Sequence, residues 1–94
     1  MEKSNAVEPA SAEARLKALG IELPSAPGPA ANYVTATQSG RIVFLAGQGP
    51  MVGSEVKYRG KVGRELSEEQ GYQAARMTIL NSLAILRAHA GSLD

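Results

Sequence analysis

Cysteine is absent from the 94 residues, histidine occurs once, at His89, and only 4% of the chain is aromatic. Without cysteine there is no disulfide, no thiolate metal site and no thiol nucleophile within these residues. One histidine leaves zinc sites and Ser-His triads short of material. The scarcity of aromatics places the core on Leu, Ile, Val and Ala, and it deprives an RNA-binding surface of stacking partners. An excess of either charge is missing too. Ten basic and nine acidic residues leave a net +1, which is no electrostatic footprint for nucleic acid or an acidic membrane surface. No apolar run approaches the ~20 residues of a membrane span. The opening "MEKSNAVEPASAEARL" lacks the apolar h-region of a signal peptide, so the expected location is the cytoplasm.

What is present reads as one small domain. Residues 1–10 are polar and small, carry Pro9, and are expected to be a disordered tail, with the domain at 11–94. Ser11 can N-cap a short helix over 12–19 that Gly20 stops in the left-handed conformation. "LPSAPGPAA" (23–31) reads as a stiff, extended connector. "NYVTATQSGRIVFLAG" then places two β-rich runs, 33–37 and 42–46, around Ser39-Gly40, and Gly40 can supply the positive φ of a tight hairpin turn. Residues 42–46 are apolar throughout, so both faces of that strand call for cover. "SEVKYRGKVG" (54–63) alternates Val56 and Tyr58 with charge and can form a short third strand.

The clearest helix starts at Ser67. Ser67 with Gln70 forms a capping box, and Glu68 and Glu69 suit the positive end of the helix dipole. Tyr72, Ala75, Ile79, Leu83, Leu86 and Ala90 recur at helical spacing as its apolar face, widened by Met77, Leu80 and Ala84; Gly91 ends it. Asn81 and Ser82, in its middle, either face solvent or cap a loop. His89 suits the negative end of the dipole and reads as structural. Glu65, Glu68 and Glu69 read as a solvated helix start, not an acid–base pair. The order β-β-(β)-α leaves sheet edges unpaired at the closing "GSLD". The expectation is therefore assembly with partners, or a chain that ends before its domain does.

"FLAGQGPMVG" (44–53) carries the spacing Gly47-x-Gly49-x-x-x-Gly53. A dinucleotide turn needs a helix N-terminus just after its glycines, and residues 51–56 have no helical period. The segment reads instead as a strand end with open backbone groups, or as a plain turn. Tyr33 is either a half-buried strand tyrosine or a hydrogen-bond donor.

Taken together, "LGIELP", "ANYVTATQSGRIVFLAGQGPMVG" and "GKVGRELSEEQGYQAARMTILNSLAILRAHAGSLD" resemble the Rid (YjgF) family, in a subgroup with an N-terminal LGI-x-LP extension. The resemblance implies a chorismate-mutase-like α+β fold, with strands packed into the central barrel of a homotrimer. It also implies ligand clefts between subunits and hydrolysis of reactive 2-imino and enamine acids to 2-oxo acids and ammonia, with no metal or organic cofactor. Tyr33, Ala46, Gly47 and Gln48 match the substrate-binding positions, and Gly49 and Pro50, with Gln48, those that shape the loop. No catalytic residue is assigned.

Two departures accompany the match. Ala46 stands where catalytically studied members often have serine. The family's carboxylate-binding arginine and a nearby acid lie in strands after "GSLD", and Arg41, Arg59, Arg64, Arg76 and Arg87 do not match it. The alternative implied is a non-catalytic trimeric protein that binds a small carboxylate. An older label, L-PSP-like endoribonuclease or translation inhibitor, sits poorly with the near-neutral charge.

Overall fold

The computed structural model describes residues 11–29 and 32–94, so the expected tail at 1–10 and the last two residues of the connector lie outside the described residues. The first element, α1 (Ala12–Ala18), starts as expected: the Ser11 hydroxyl accepts from the Ala14 N–H at 3.1 Å. It closes one residue early, with Leu19 as C-cap and Gly20 at φ 70°. Seven residues with none buried do not sustain a helix in water. The anchor is Glu13. Its carboxylate accepts from Arg87 Nη2 at 2.8 Å and Nε at 3.1 Å, and from the Leu93 N–H at 2.9 Å. The Glu13 N–H in turn donates to Asp94 Oδ1 at 3.0 Å. This charge-assisted fork pins α1 to the far end of the chain.

Strands β1 (Ala36–Ser39) and β2 (Ile42–Leu45) pair antiparallel, with Ser39 opposite Ile42. That register leaves Gly40-Arg41 as a two-residue turn. Gly40 is at φ 59° and Arg41 is not at positive φ, the pattern of a type II′ turn. The first strand therefore sits later than the 33–37 expected. The turn sets the register, and bends at 32, 33 and 35 leave one bond, Ala46 N–H to Thr35 O at 2.9 Å, to continue the ladder.

A second hairpin replaces the single third strand expected at 54–63. In it β3 (Met51–Val52) pairs with β4 (Glu55–Val56) across Gly53-Ser54, again with glycine at positive φ. Tyr58 falls outside the strand. The loop that follows folds on Glu65, whose carboxylate accepts from the Lys61 N–H at 2.9 Å and from Arg64 Nε at 2.6 Å. Gly60, at φ 125°, is required there, since a Cβ would stand 2.4 Å from that of Glu65.

Helix α2 (Glu68–Ala90) has the expected capping box: the Ser67 hydroxyl accepts from the Gln70 N–H at 3.1 Å, and the Gln70 side chain accepts from the Ser67 N–H at 2.8 Å. Gly91 closes it in the left-handed region at φ 88°. Its orientation corrects the expected apolar face. Asn81, Ala84 and Ile85 are buried, while Tyr72 and Ile79 remain 65% and 54% exposed. The helix is apolar on two sides, and the period alone does not say which side meets the hairpins.

Cover for both faces of the β2 run is also not supplied within the described residues. Val43 is half-buried, yet Ile42 and Phe44 are 61% and 58% exposed. Ala84 and Ile85 are the only buried hydrophobics among the described residues.

The Glu13 anchor makes α1 pH-dependent. The Arg87 hydrogen bonds first, then the Leu93 N–H, hold the carboxyl below its ordinary 4.5, against a smaller opposing effect of desolvation. A carboxyl lowered on folding stabilises above its unfolded value and loses that contribution as pH falls from 4.5 through the folded value. Wild type is expected to melt above Glu13→Gln near neutral pH, and the two melting curves are expected to converge in acid. A gap that stays constant with pH would contradict this role.

Candidate functional site

The link from β2 to β3, residues 46–50, is the glycine-bearing stretch singled out in the sequence. Its far end is held from α2. Asn81, 2% exposed, donates through Nδ2 to the carbonyls of Gly49 at 3.1 Å and Met51 at 2.9 Å. Two acceptors facing one nitrogen settle the amide orientation and use both of its donors. The Met51 N–H also bonds back to Gly49 O at 2.9 Å, a tight turn across Pro50, where proline fixes φ. Pro50 O accepts from the Lys57 N–H at 2.7 Å.

Gly49 and Pro50 thus form the turn at the end of the link that faces α2. Of the two readings of Asn81, solvent-facing or loop-capping, the second is the one realised. A polar residue four positions from both Met77 and Ile85, within an apolar row, is the signal that points to it.

The other expected residues gather at one end of the first hairpin. Ala46 continues the Ile42–Phe44 row by strand alternation and is half-buried. Gly47 is exposed, and its backbone makes no hydrogen bond to the described residues. Gln48 is half-buried, with its amide 3.4 Å from Ala46 O, a long and weak contact. Tyr33 lies just before the paired segment and is 41% exposed. These four flank the uncovered sheet face and do not line the larger cleft, which is formed by the connector, β3–β4 and α2.

His89 is structural in this arrangement, with Nε2 2.8 Å from Gln38 Oε1 on β1. Glu65 is committed to its own loop, and its neighbours Lys61 and Arg64 hold its carboxyl below the usual range. Among the described residues no three metal-ligating side chains cluster, and no helix is long and apolar enough to cross a membrane.

Comparison with other proteins places this geometry. A family model described as "YjgF/chorismate mutase-like, putative endoribonuclease" matches residues 13–94. Protein TCP17 of Trypanosoma cruzi is 37% identical over 81 residues, covering 86% of this chain and 51% of that protein. A crystal structure of a "putative endoribonuclease" from Shewanella oneidensis MR-1 superimposes with a TM-score of 0.78 at 33% identity, over 86% of this chain and 54% of that one. Atu1372 from Agrobacterium tumefaciens, a protein described as of unknown function, gives 0.69 at 36% identity over 85% and 48%. The chain therefore spans about half the length of these relatives.

Asn81 is the residue on which the loop geometry turns. Asn81→Ala is expected to take the Nδ2 donor from Met51 O and to leave Gly49 O with the Met51 N–H alone, lowering stability by roughly 1–3 kcal/mol. Exchange of the Lys57 amide proton is expected to quicken with it. Asn81→Asp, which sets a carboxylate against two carbonyl oxygens, is expected to be worse than alanine. Denaturant unfolding and hydrogen exchange check both; an unchanged midpoint in Asn81→Ala would remove the role.

Proposed function

The chain belongs to the YjgF/chorismate-mutase-like family, and from that premise we propose that it supplies the glycine-loop half of a homotrimeric hydrolase. The reaction converts reactive 2-imino and enamine acids to 2-oxo acids and ammonia in the cytoplasm. The observation that carries this reading is the loop itself: pinned at Gly49 and Met51 by Asn81, it leaves Gly47 exposed, with no backbone hydrogen bond to the described residues.

A protonated imine is already electrophilic at carbon. Water adds there, the carbinolamine loses ammonia as the C–N bond breaks, and a 2-oxo acid remains. The protein needs to bind the carboxylate, orient one water and exclude competitors. The Gly47 N–H and C=O, on a rigid support, can orient that water or the substrate nitrogen, and the Tyr33 phenol and Gln48 amide stand at the same end of the hairpin. The family resemblance implies a carboxylate-binding arginine that none of this chain's arginines matches.

Ala46 favours a second reading, a non-catalytic binder of small carboxylates, because it offers no hydroxyl beside the loop. The endoribonuclease wording of the relatives fits this chain less well, given its net charge of +1 and a single histidine engaged with Gln38. The uncovered row of Ile42 and Phe44, which sister copies would bury, supports assembly. Contiguous exposed apolar surface of this kind is where subunits meet.

Two experiments test the proposal. 2-Iminobutanoate generated by a dehydratase is expected to release ammonia faster with the protein present. It is assayed as the 94-residue chain and as a fusion to the C-terminal half of the Shewanella relative. A Cβ at Gly47 meets nothing within 4 Å, so Gly47→Val is expected to fold and to lose most of the acceleration. No acceleration in either form would end the deaminase reading. Separately, Phe44→Glu is expected to convert the trimer to monomer by light scattering; an unchanged mass would move the interface elsewhere.

A further inference from the structure

The larger cleft, about 1000 Å³, plays no part in the proposed hydrolysis. Its walls are the connector at 22–29, the β3–β4 hairpin and the first half of α2. Four of its features point toward a ligand. Pro24, Pro27 and Pro29 make one wall stiff. Tyr58, on the hairpin side, stands at φ 56° and is the one non-glycine residue at positive φ among those described. That is an unfavourable conformation for a bulky side chain, and such strain concentrates at binding sites.

Two thioethers, Met51 and Met77, face the same space, and methionine sulfur makes favourable contacts with aromatic rings. Arg76, also in the lining, is exposed and has no ion pair or hydrogen bond among the described residues. Among the described residues Arg64 pairs with Glu65 and Arg87 with Glu13. A free guanidinium beside apolar walls suits a carboxylate joined to an apolar body. Glu22, on the connector, disfavours a second negative charge on the same molecule.

We propose that this groove is a second ligand site, which takes an aryl-substituted monocarboxylate with its ring against Met51 and Met77 and its carboxylate on Arg76. The Tyr58 phenol supplies a further hydrogen bond at the rim. The site uses none of Tyr33, Ala46, Gly47 or Gln48, so it stands or falls apart from the hydrolysis proposed above.

The test follows the methionine methyl signals of ¹³C-methyl-labelled protein during titration with 3-phenylpropanoate, 3-phenylpropan-1-ol and 3-phenylpropylamine. The carboxylate is expected to shift the Met51 and Met77 methyls saturably, and the alcohol and amine to bind about tenfold more weakly or worse. Arg76→Gln, a change at an exposed and unpartnered side chain, is expected to keep the wild-type melting temperature and to weaken the carboxylate about tenfold. The proposal is overturned if those methyls do not move, if Arg76→Gln binds the carboxylate as wild type does, or if the amine binds as tightly as the acid.

Discussion

The side-chain amide of Asn81 reaches from the middle of α2 to two carbonyls on the β2–β3 link, at 3.1 and 2.9 Å, from a site only 2% exposed. A short polar residue at that depth is tolerable only with its donors matched, so the helix and the link hold one another in place. The bond works in two directions. Toward the first hairpin it fixes the end of the loop that carries Gly47. Toward the connector it sets Met51, which helps to line the larger cleft. Two candidate sites of different chemistry therefore share one hydrogen-bonded support.

The rest of α2 is anchored at its ends by separate devices. The capping box satisfies donors at Ser67 and Gln70, and the Glu13–Arg87 fork ties α1 to its last turns. Both are electrostatic and local to one end, and neither buries much apolar surface. The scarcity of buried hydrophobics among the described residues, Ala84 and Ile85 alone, follows from an arrangement in which one helix covers one face of small hairpins. A chain of this length buries a modest fraction of its surface in any case. Exposed Ile42 and Phe44 on the sheet and Tyr72 and Ile79 on the helix are the apolar surface that this arrangement leaves uncovered among the described residues. The relatives that the chain matches are about twice as long.

Two of the carboxylates are spent on geometry. Glu13 and Glu65 each collect a guanidinium and a backbone N–H, which shapes a terminus and a loop without creating a field over the surface. The near-zero net charge fits that use. Arg76, in the groove, has no ion pair among the described residues.

Much of the local structure was legible in the residues: the Ser11 and Ser67 caps, the Gly40 turn and the Gly91 stop. Each of these is encoded within a few neighbouring positions, where backbone preference and short-range hydrogen bonds decide the outcome. The split of the expected third strand into a second hairpin at Gly53-Ser54 was missed although its signal was also local, a glycine at the first position of a two-residue turn. What the tertiary structure alone decided was which side of α2 is buried, that Asn81 caps the loop, and that Glu13 meets Arg87. Those contacts join positions 30, 32 and 74 residues apart, so their energy depends on what packing brings opposite. A one-dimensional period cannot carry that information, because a helix that is apolar on two sides satisfies it in either orientation.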